Sequence, residues 1–253
     1  MPRNPRLDTI LAILANRRQL SVSELTERLA VSEVTVRKDL ARLEDAGHLI
    51  RTRGGARAAE DRTLLRTVQA RRQEPNQRKQ LIADAAVQLI RDGETIFIDS
   101  GTTCALLAAN LNGRDLRIVT NSIDVLNALG DADGVQLYCV GGSYRREAGS
   151  FIGPAALTGM ADFRFDTAFI GTSGFSVQGE LSAQNVNEAQ VKRAALQSAT
   201  RRVILCESSK FGSQAFSVFA RPADINLVVM DEHDSVCTAI SALGIEIVAA
   251  RPH

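Results

Sequence analysis

The sequence has few of the features that mark a membrane, secreted or metal-binding protein. No apolar run approaches the roughly 20 residues that a membrane-spanning helix needs. The apolar stretch Ile10–Leu14 is closely bracketed by Asp8 and Asn16, so it is too short for a signal-peptide core. The four cysteines form no CxxC pair, and the three histidines are scattered. These absences argue against a zinc site and favour a cytoplasmic protein with reduced thiols, no metal and no cofactor.

The chain also has few aromatic residues and a small net charge. Tryptophan is absent and aromatics make up 4% of the chain, which disfavours a stacking platform for single-stranded nucleic acid. The formal net charge of +1 excludes a protein that coats nucleic acid over its whole surface. The charge is nevertheless uneven, because residues 1–75 carry 15 Lys and Arg against 10 Asp and Glu, and residues 76–253 carry 15 against 19. Two parts with different partners are therefore expected in this 253-residue chain.

Residues 1–57 have the pattern of three helices followed by a β-hairpin. The segment Ser21–Glu24 has the sequence of a capping box, and Ser32 is positioned to cap the third helix. On that helix Leu40 and Leu43 lie within about 40° of Val36, and all three are expected to face the core. The pattern predicts a winged helix-turn-helix domain.

The other face of the third helix and the hairpin carry side chains that suit DNA. Hydroxyls and cations match phosphates and base edges in the major groove, and a wing places arginines beside the backbone or the minor groove. The predicted contacts with double-stranded DNA come from Ser32, Thr35, Arg37, Lys38, Arg42, Arg51 and Arg53. The alternative is a small helical module with a solvated charged face.

The rest of the chain has a different pattern. Residues 58–76 are polar and arginine-rich, and form a linker that is either a helix or a flexible arm. Residues 77–253 alternate between helical and strand patterns. Strands are predicted at residues 95–98, 116–119, 135–140, 167–170, 203–206, 225–230 and 245–248, and helices at 81–90, 105–111, 123–129, 154–161, 185–199 and 236–243. Because the strands are continuous apolar runs, we expect an α/β domain with a doubly wound, mainly parallel sheet covered on both faces.

Polar or glycine-rich segments directly follow five of these strands, beginning at Asp99, Thr120, Gly141, Gly171 and Glu207. Parallel strands end at one edge of a sheet, so the five segments are expected to meet at a ligand site. The segment after Asp99 combines hydroxyls, a glycine and a helix N-terminus, which suits a phosphate. The Walker pattern is absent, so a nucleoside triphosphate is not expected.

We therefore predict a phosphorylated ligand bound by Asp99, Ser100, Gly101, Thr102, Thr103, Asn121, Ser122, Gly141, Gly142, Lys192 and Lys210. Structural alternatives exist for several of these residues. Lys192 is also spaced for an exposed helix pair with Glu188, and Lys210 for a solvated loop position. Asp99 is placed to cap the following helix, and Ser100–Thr103 to form a plain strand-to-helix turn.

Several segments resemble the DeoR family of bacterial regulators, in the family's order and over about residues 6 to 248. They are VSEVTVRKDL at 31–40, RGGA at 53–56, TIFIDSGTT at 95–103, IVTNS at 118–122, EAQVKRA at 188–194 and SSKFG at 208–212. Arg53 stands where the family's wing usually has His, and Glu207 where Asp is commoner.

This resemblance implies a sensor similar in fold to sugar-phosphate isomerases and a phosphorylated sugar or polyol as effector. It also implies a homo-oligomer, a dimer or tetramer, and repression of a carbohydrate catabolic operon that the effector relieves. The alternative is an active sugar-phosphate isomerase with an appended DNA-binding domain, in which Asp99, Glu188 or Glu207 would act as the base. No spacing identifies a dedicated acid–base pair, so a regulator without catalytic residues is expected. Aromatic scarcity disfavours an RNA-binding switch.

Overall fold

The chain forms two compact units, Met1–Arg66 and Thr67–His253. A computed structural model describes residues 6–7, 9–10, 13, 19–29, 31–45, 49–52, 54–58 and 77–251. Of the predicted linker, only Ala58 is among these residues, so the choice between a helix and an arm lies outside them. No helix in the described ranges combines the length and apolar character needed to cross a membrane.

The first unit combines helices with a small antiparallel sheet. Its described residues up to Ile13 are helical. They are followed by β1 (Gln19–Ser21), α1 (Val22–Leu29), α2 (Glu33–Asp45), β2 (Leu49–Thr52) and β3 (Gly55–Ala58). The strand order is β1-β3-β2, and both pairings are antiparallel. The predicted hairpin is confirmed, while β1 was not predicted because three residues are too few to show an alternation.

Side-chain caps define where α1 and α2 begin. The Ser21 amide donates to the Glu24 carboxylate at 3.0 Å, and the Glu24 amide donates to the Ser21 hydroxyl at 3.1 Å. The predicted capping box is therefore confirmed. The Thr35 amide donates to the Ser32 hydroxyl at 3.3 Å, so Ser32 caps α2 as predicted. Both caps satisfy amides that the first turn of a helix leaves without an intrahelical partner.

The helices of this unit pack on a small hydrophobic core. The buried residues are Ile10, Leu20, Val22, Leu25, Val36, Leu40, Leu43, Leu49 and Ala56, which confirms the predicted core face of α2. Asp39 is buried on α2 as well, and its carboxylate accepts hydrogen bonds from Arg6 at 2.5 and 3.2 Å. This ion pair ties the N-terminal helical residues to α2. Periodicity alone gave no sign of it, since the partners are 33 residues apart.

The second unit is an α/β domain. Its helices are α3 (Gln77–Val87), α4 (Thr102–Ala109), α5 (Ile123–Leu129), α6 (Pro154–Ala161), α7 (Val186–Gln197) and α8 (Asp234–Ser241). Its strands are β4 (Thr95–Ile98), β5 (Leu116–Thr120), β6 (Val135–Cys139), β7 (Ser143–Arg145), β8 (Ser150–Ile152), β9 (Phe165–Gly171), β10 (Gly174–Phe175), β11 (Leu181–Ala183), β12 (Ala199–Leu205), β13 (Ser217–Ala220), β14 (Leu227–Asp231) and β15 (Glu246–Ala250). Seven strands form a parallel sheet in the order β15-β14-β12-β9-β4-β5-β6.

Helices cover both faces of this sheet. Successive residues of the central strand β4 point to opposite faces: Ile96 and Ile98 share a buried cluster with residues of α3, α4 and α5, and Phe97 shares another with residues of α6, α7 and α8. The predicted doubly wound parallel α/β fold is thus confirmed.

Every helix and strand predicted for this unit is present, with ends within four residues of the prediction. Two features were not predicted: the hairpin β7–β8 and a small antiparallel sheet in the order β10-β11-β13. Their strands have two to four residues each, which is too short for a hydrophobic alternation to stand out. Both features lie near the carboxyl ends of the parallel strands, where the ligand site was expected.

Candidate functional site

A pocket of the second unit lies where the strand order of the parallel sheet reverses. From β4 the sheet extends through β5 and β6 on one side, and through β9, β12, β14 and β15 on the other. At such a switch point the loops after the two central strands diverge and leave a crevice at their carboxyl ends. The pocket is lined by Ser100, Gly101, Thr102, Thr103, Cys104, Ala148, Gly171, Thr172, Ser173, Glu188, Lys192, Leu205 and Lys210.

A buried ion pair stands at this pocket. The Lys192 ammonium, on α7, contacts the Asp99 carboxylate and donates to the Gly171 carbonyl at 3.1 Å. The same carboxylate oxygen of Asp99 accepts from the Gly171 amide at 3.0 Å. Lys192 is 6% exposed and Asp99 is 1% exposed. Asp99 therefore joins the ends of β4 and β9, and Lys192 brings a positive charge to the pocket wall.

Two alternatives raised by the sequence are wrong. Lys192 does not form an exposed pair with Glu188, because both residues are buried and Glu188 instead accepts from Arg145 at 2.5 Å. Asp99 does not cap α4, since the N-cap residue is Gly101 and no side chain accepts the first-turn amides. The periodicity placed these residues on the correct elements, but their partners come from segments distant in sequence.

The loop between β4 and α4 supplies anion-binding groups. Gly101 has φ of 122°, in the region that favours glycine. A helix leaves its first amides without intrahelical partners, and its N-terminus carries partial positive charge. Three residues with a hydroxyl, Ser100, Thr102 and Thr103, line the same pocket. Amides, hydroxyls and a nearby lysine together suit a phosphate or carboxylate.

Lys210 reaches the pocket from a short 3₁₀ turn, Ser208–Lys210, after β12. It is half-buried and donates to the Thr172 carbonyl at 2.7 Å, so it is not a fully solvated loop lysine. The turn is anchored at its start, because the Ser208 amide and hydroxyl donate to Asp231 at 2.6 and 2.7 Å. This anchoring fixes where the Lys210 side chain begins.

Lys79 on α3 adds a second attachment for the same turn. It lies 3.9 Å from the carboxylate of Glu207, the residue that precedes the turn, and Lys79 itself is buried. The helix that follows the linker in the chain therefore contacts the segment that carries Lys210.

Five of the predicted ligand residues lie outside the pocket lining. One is Asp99, whose partner Lys192 lines the pocket, and the others are Asn121, Ser122, Gly141 and Gly142. Ser122 caps α5 by accepting the amides of residues 124 and 125, and Asn121 donates to the Phe151 carbonyl at 3.2 Å. A Cβ on Gly142 would lie 2.6 Å from the Ile152 carbonyl oxygen. Gly141 is not among the residues that line the pocket. The unpredicted hairpin β7–β8 packs against the ends of β5 and β6, which explains these contacts. A role for these five residues in effector binding stays a prediction.

Several pocket residues were not assigned from the sequence. Gly171, Thr172 and Ser173 belong to a polar segment recognised after a strand, and that position was the available signal. Glu188 was considered as a helix partner of Lys192 and as a base of the alternative enzyme, but not as a ligand residue. Its partner Arg145 was not considered, because it lies on a strand that was not predicted. Among the described residues, no group of three or more His, Cys, Asp and Glu side chains is arranged to hold a metal ion.

Cys104 contributes a thiol to the pocket wall, but not a nucleophile. Burial raises its pKa to about 12, and the neighbouring Asp99 charge acts in the same direction. Burial likewise raises the pKa of Cys206 to about 12. Cys139 is exposed, and its partial burial raises its pKa. Only the thiolate is reactive, so the two fully buried cysteines are expected to behave as small apolar groups.

We expect Cys104 and Cys206 to resist a thiol reagent in the folded protein. At about pH 8, a thiol with a pKa of about 12 is ionised in roughly one molecule in 10,000. Titration with a chromogenic disulfide should label Cys139 first and should modify all four cysteines only after denaturation. In the control, Cys139→Ser should remove the fast phase. A fast phase that disappears in Cys104→Ser would show that this thiol is accessible and activated.

In the first unit, α2 presents the predicted DNA-contacting face. Ser32, Arg37, Lys38 and Arg42 are exposed, and Thr35 is half-buried with its hydroxyl 3.0 Å from that of Ser32. Arg37 forms an exposed pair with Glu33 at 3.3 Å. Arg51 on β2 is exposed and lies 3.8 Å from the Glu44 carboxylate. Arg53 lies outside the described residues.

Comparison with known proteins identifies both units. The profile of the DeoR-like helix-turn-helix domain matches residues 6–62, and that of the DeoR C terminal sensor domain matches residues 74–232. The HTH-type transcriptional repressor GlcR of Bacillus subtilis (strain 168) is 30% identical over 253 residues, covering 99% of this chain and 98% of the relative. The lactose phosphotransferase system repressor of Lactococcus lactis subsp. lactis is 34% identical over 215 residues, covering 83% and 84%.

Among solved structures, ribose 5-phosphate isomerase A from Methanocaldococcus jannaschii is similar with a TM-score of 0.40 and 18% identity. The match covers 53% of this chain and 53% of that structure. A likeness at this level carries no functional inference. The two domain profiles and the relatives matched over nearly their full length are stronger evidence, and they show that this chain belongs to the DeoR family.

Proposed function

We propose that the protein is a DNA-binding transcriptional repressor of a carbohydrate operon, released from its operator by a phosphorylated sugar or polyol. The observation that carries the proposal is the pocket at the switch point. It brings a helix N-terminus, the hydroxyls of residues 100, 102 and 103, and two lysines together around one space. The relatives named above are repressors, and one of them is named for a lactose phosphotransferase system.

The pocket chemistry distinguishes two parts of such a ligand. A phosphate dianion suits the first turn of α4, where amides and the helix dipole favour negative charge, and Lys210 supplies a point charge in the lining of the same pocket. Sugar hydroxyls suit the polar groups of Thr172, Ser173 and Glu188, because a hydroxyl can donate or accept a hydrogen bond and a carboxylate can accept one. Lys192 is held by Asp99, so it supplies charge from a fixed position.

The regulatory mechanism that we propose requires an oligomer. Two copies of α2 would read repeated half-sites in the major groove, at a spacing set by the assembly. An effector bound at the pocket would favour an arrangement with a different spacing, which weakens operator binding by the free-energy difference between the two states. The protein would act in the cytoplasm, where the operator is.

Catalysis by this pocket is disfavoured by how its carboxylates are engaged. Each of the three carboxylates considered as a base lies in an ion pair: Asp99 with Lys192, Glu188 with Arg145, and Glu207 with Lys79 at 3.9 Å. A general base must be available to take a proton from the substrate. These pairs favour binding without turnover.

A thermal-shift screen against phosphorylated sugars and polyols tests the sensor. A ligand at about 100 times its Kd stabilises the native state by about 2.7 kcal/mol, which raises Tm by about 5–10 °C. The same compound should release the protein from operator DNA, and the unphosphorylated sugar serves as the control. Conversion of the ligand by pure protein, or stabilisation without any effect on DNA binding, would contradict the proposal.

Lys38→Ala tests the DNA-contacting face. Lys38 is exposed on α2, so its ammonium is placed to neutralise one phosphate. We expect weaker binding to all duplexes and a salt dependence of log K reduced by about one unit in slope. Fluorescence anisotropy at several salt concentrations measures this slope. Arg91→Ala removes an exposed cation from the second unit and should leave the slope unchanged. An unchanged slope in Lys38→Ala would remove Lys38 from this role.

A further inference from the structure

One apolar side chain stands out on the surface of the first unit. Val34 is 64% exposed, and among the described side chains of this unit it is the only exposed large hydrophobic residue. The other large apolar residues of α1 and α2 are buried or half-buried in the core. Single exposed apolar residues are common on protein surfaces, so exposure alone has no functional meaning. The location of Val34 is what distinguishes it.

Val34 lies in the first turn of α2, at the centre of the face that points away from the core. At 100° per residue it is about 160° from the buried Val36. It is four residues before Lys38, which is exposed on the same face. Next to it are the paired hydroxyls of Ser32 and Thr35, 3.0 Å apart. An apolar side chain is therefore surrounded by hydroxyls and cations.

Folding gives no reason for a valine at this position. The side chain does not join the hydrophobic core of the unit. Valine is also a poorer helix former than alanine, because its branched Cβ loses rotamer freedom in a helix. Any polar helix former would serve an exposed position at least as well. The residue is better explained by a partner that it contacts.

We propose that Val34 contacts the C5 methyl group of a thymine in the major groove of the operator. This inference rests on the proposed DNA-binding function. The N-terminal residues of a recognition helix contact base edges, and the thymine methyl is the apolar group that the major groove displays. Lys38 and Arg42 lie on the same side of α2, where phosphates would flank the groove. Val34 thus determines specificity at one base pair, while its cationic neighbours provide affinity.

The test begins with selection of duplexes from a random library by the full-length wild-type protein. In one selected duplex, each thymine is then replaced in turn by deoxyuridine, which lacks only the methyl group. We expect one replacement per half-site to weaken wild-type binding by about four-fold, the factor that corresponds to burial of one methyl group. Val34→Ala should bind the thymine duplex more weakly by a similar factor and lose nothing further at the deoxyuridine position.

Two controls accompany this cycle. Val34→Ala should unfold at the wild-type temperature or above, because alanine favours the helix and no core contact is lost. Val177→Ala truncates a similarly exposed valine in the second unit, 56% exposed, and should retain the wild-type response to deoxyuridine.

The outcomes separate the inference from the proposed function. If no sequence is enriched, the proposed DNA-binding function fails and the Val34 contact with it. If sequences are enriched, but no deoxyuridine weakens binding or Val34→Ala responds to it as the wild type does, the Val34 contact alone is overturned.

Discussion

Lys192→Ala is expected to destabilise the second unit by about 3–5 kcal/mol, the range for removing one partner from a buried ion pair. The loss arises because the Asp99 carboxylate would stay 1% exposed with its cation removed. Asp99 would keep the Gly171 amide as a donor, but one neutral hydrogen bond does not replace a charged partner. Denaturant unfolding measures the change, with Arg91→Ala as an exposed-cation control that should cost less than about 0.5 kcal/mol.

A double variant separates the unpaired charge from the loss of packing. Lys192→Met combined with Asp99→Leu removes both charges and keeps apolar volume, so it should be more stable than Lys192→Ala. It should bind no effector, because the pocket has lost a fixed positive charge. If Lys192→Ala unfolds within about 1 kcal/mol of the wild type, the ion pair does not stabilise the fold. Equal loss in the double variant would show that packing around the pair matters more than charge.

Lys210→Ala is expected to weaken effector binding by roughly 10- to 150-fold while leaving operator binding intact. A hydrogen bond to a charged group contributes about 1.5–3 kcal/mol, and this range corresponds to that factor. Lys210 is half-buried and donates to the neutral carbonyl of Thr172, so its removal should cost less stability than removal of the buried Lys192. Ligand titration by calorimetry gives the affinity, and competition on operator DNA gives the release.

The conservative variant Lys210→Arg completes this test. It keeps the positive charge, so it should retain more effector affinity than Lys210→Ala, although the guanidinium differs in shape from an ammonium. Release of Lys210→Ala from the operator at the wild-type effector concentration would exclude Lys210 as a ligand of the phosphate. Loss of operator binding in the same variant would indicate a folding defect instead, which unfolding curves would reveal.

The local features of both units could be predicted from the sequence because they depend on residues close in the chain. The capping box at Ser21 and Glu24 and the cap at Ser32 involve partners three residues apart. The core face of α2 follows from helical periodicity, and the parallel sheet from apolar strands that alternate with helices. The prediction that polar segments meet at the carboxyl ends of the strands follows from the parallel arrangement alone.

The contents of the pocket could not be predicted to the same degree. The sequence treated five segments after strands as equivalent, whereas the pocket is lined from the ends of β4, β9 and β12. The strand order places β9 and β5 on either side of β4, and the pocket lies on the side of β9 and β12, whereas β5 and β6 lie on the other side. On the side of β5 and β6, the hairpin β7–β8 contacts the end of β5. The Asn121 side-chain amide donates to the Phe151 carbonyl, and Ser122 forms an isolated β-bridge with Ser150.

By itself, then, the sequence determined the two units, the order of their helices and strands, and the edge of the sheet where a ligand would bind. These depend on propensity, periodicity and capping, which act over a few residues. Only the tertiary structure decided that Lys192 pairs with Asp99, 93 residues away, and that Glu188 pairs with Arg145, 43 residues away. Such pairs depend on which strands become neighbours in the sheet, and no local sequence pattern determines the order of the strands.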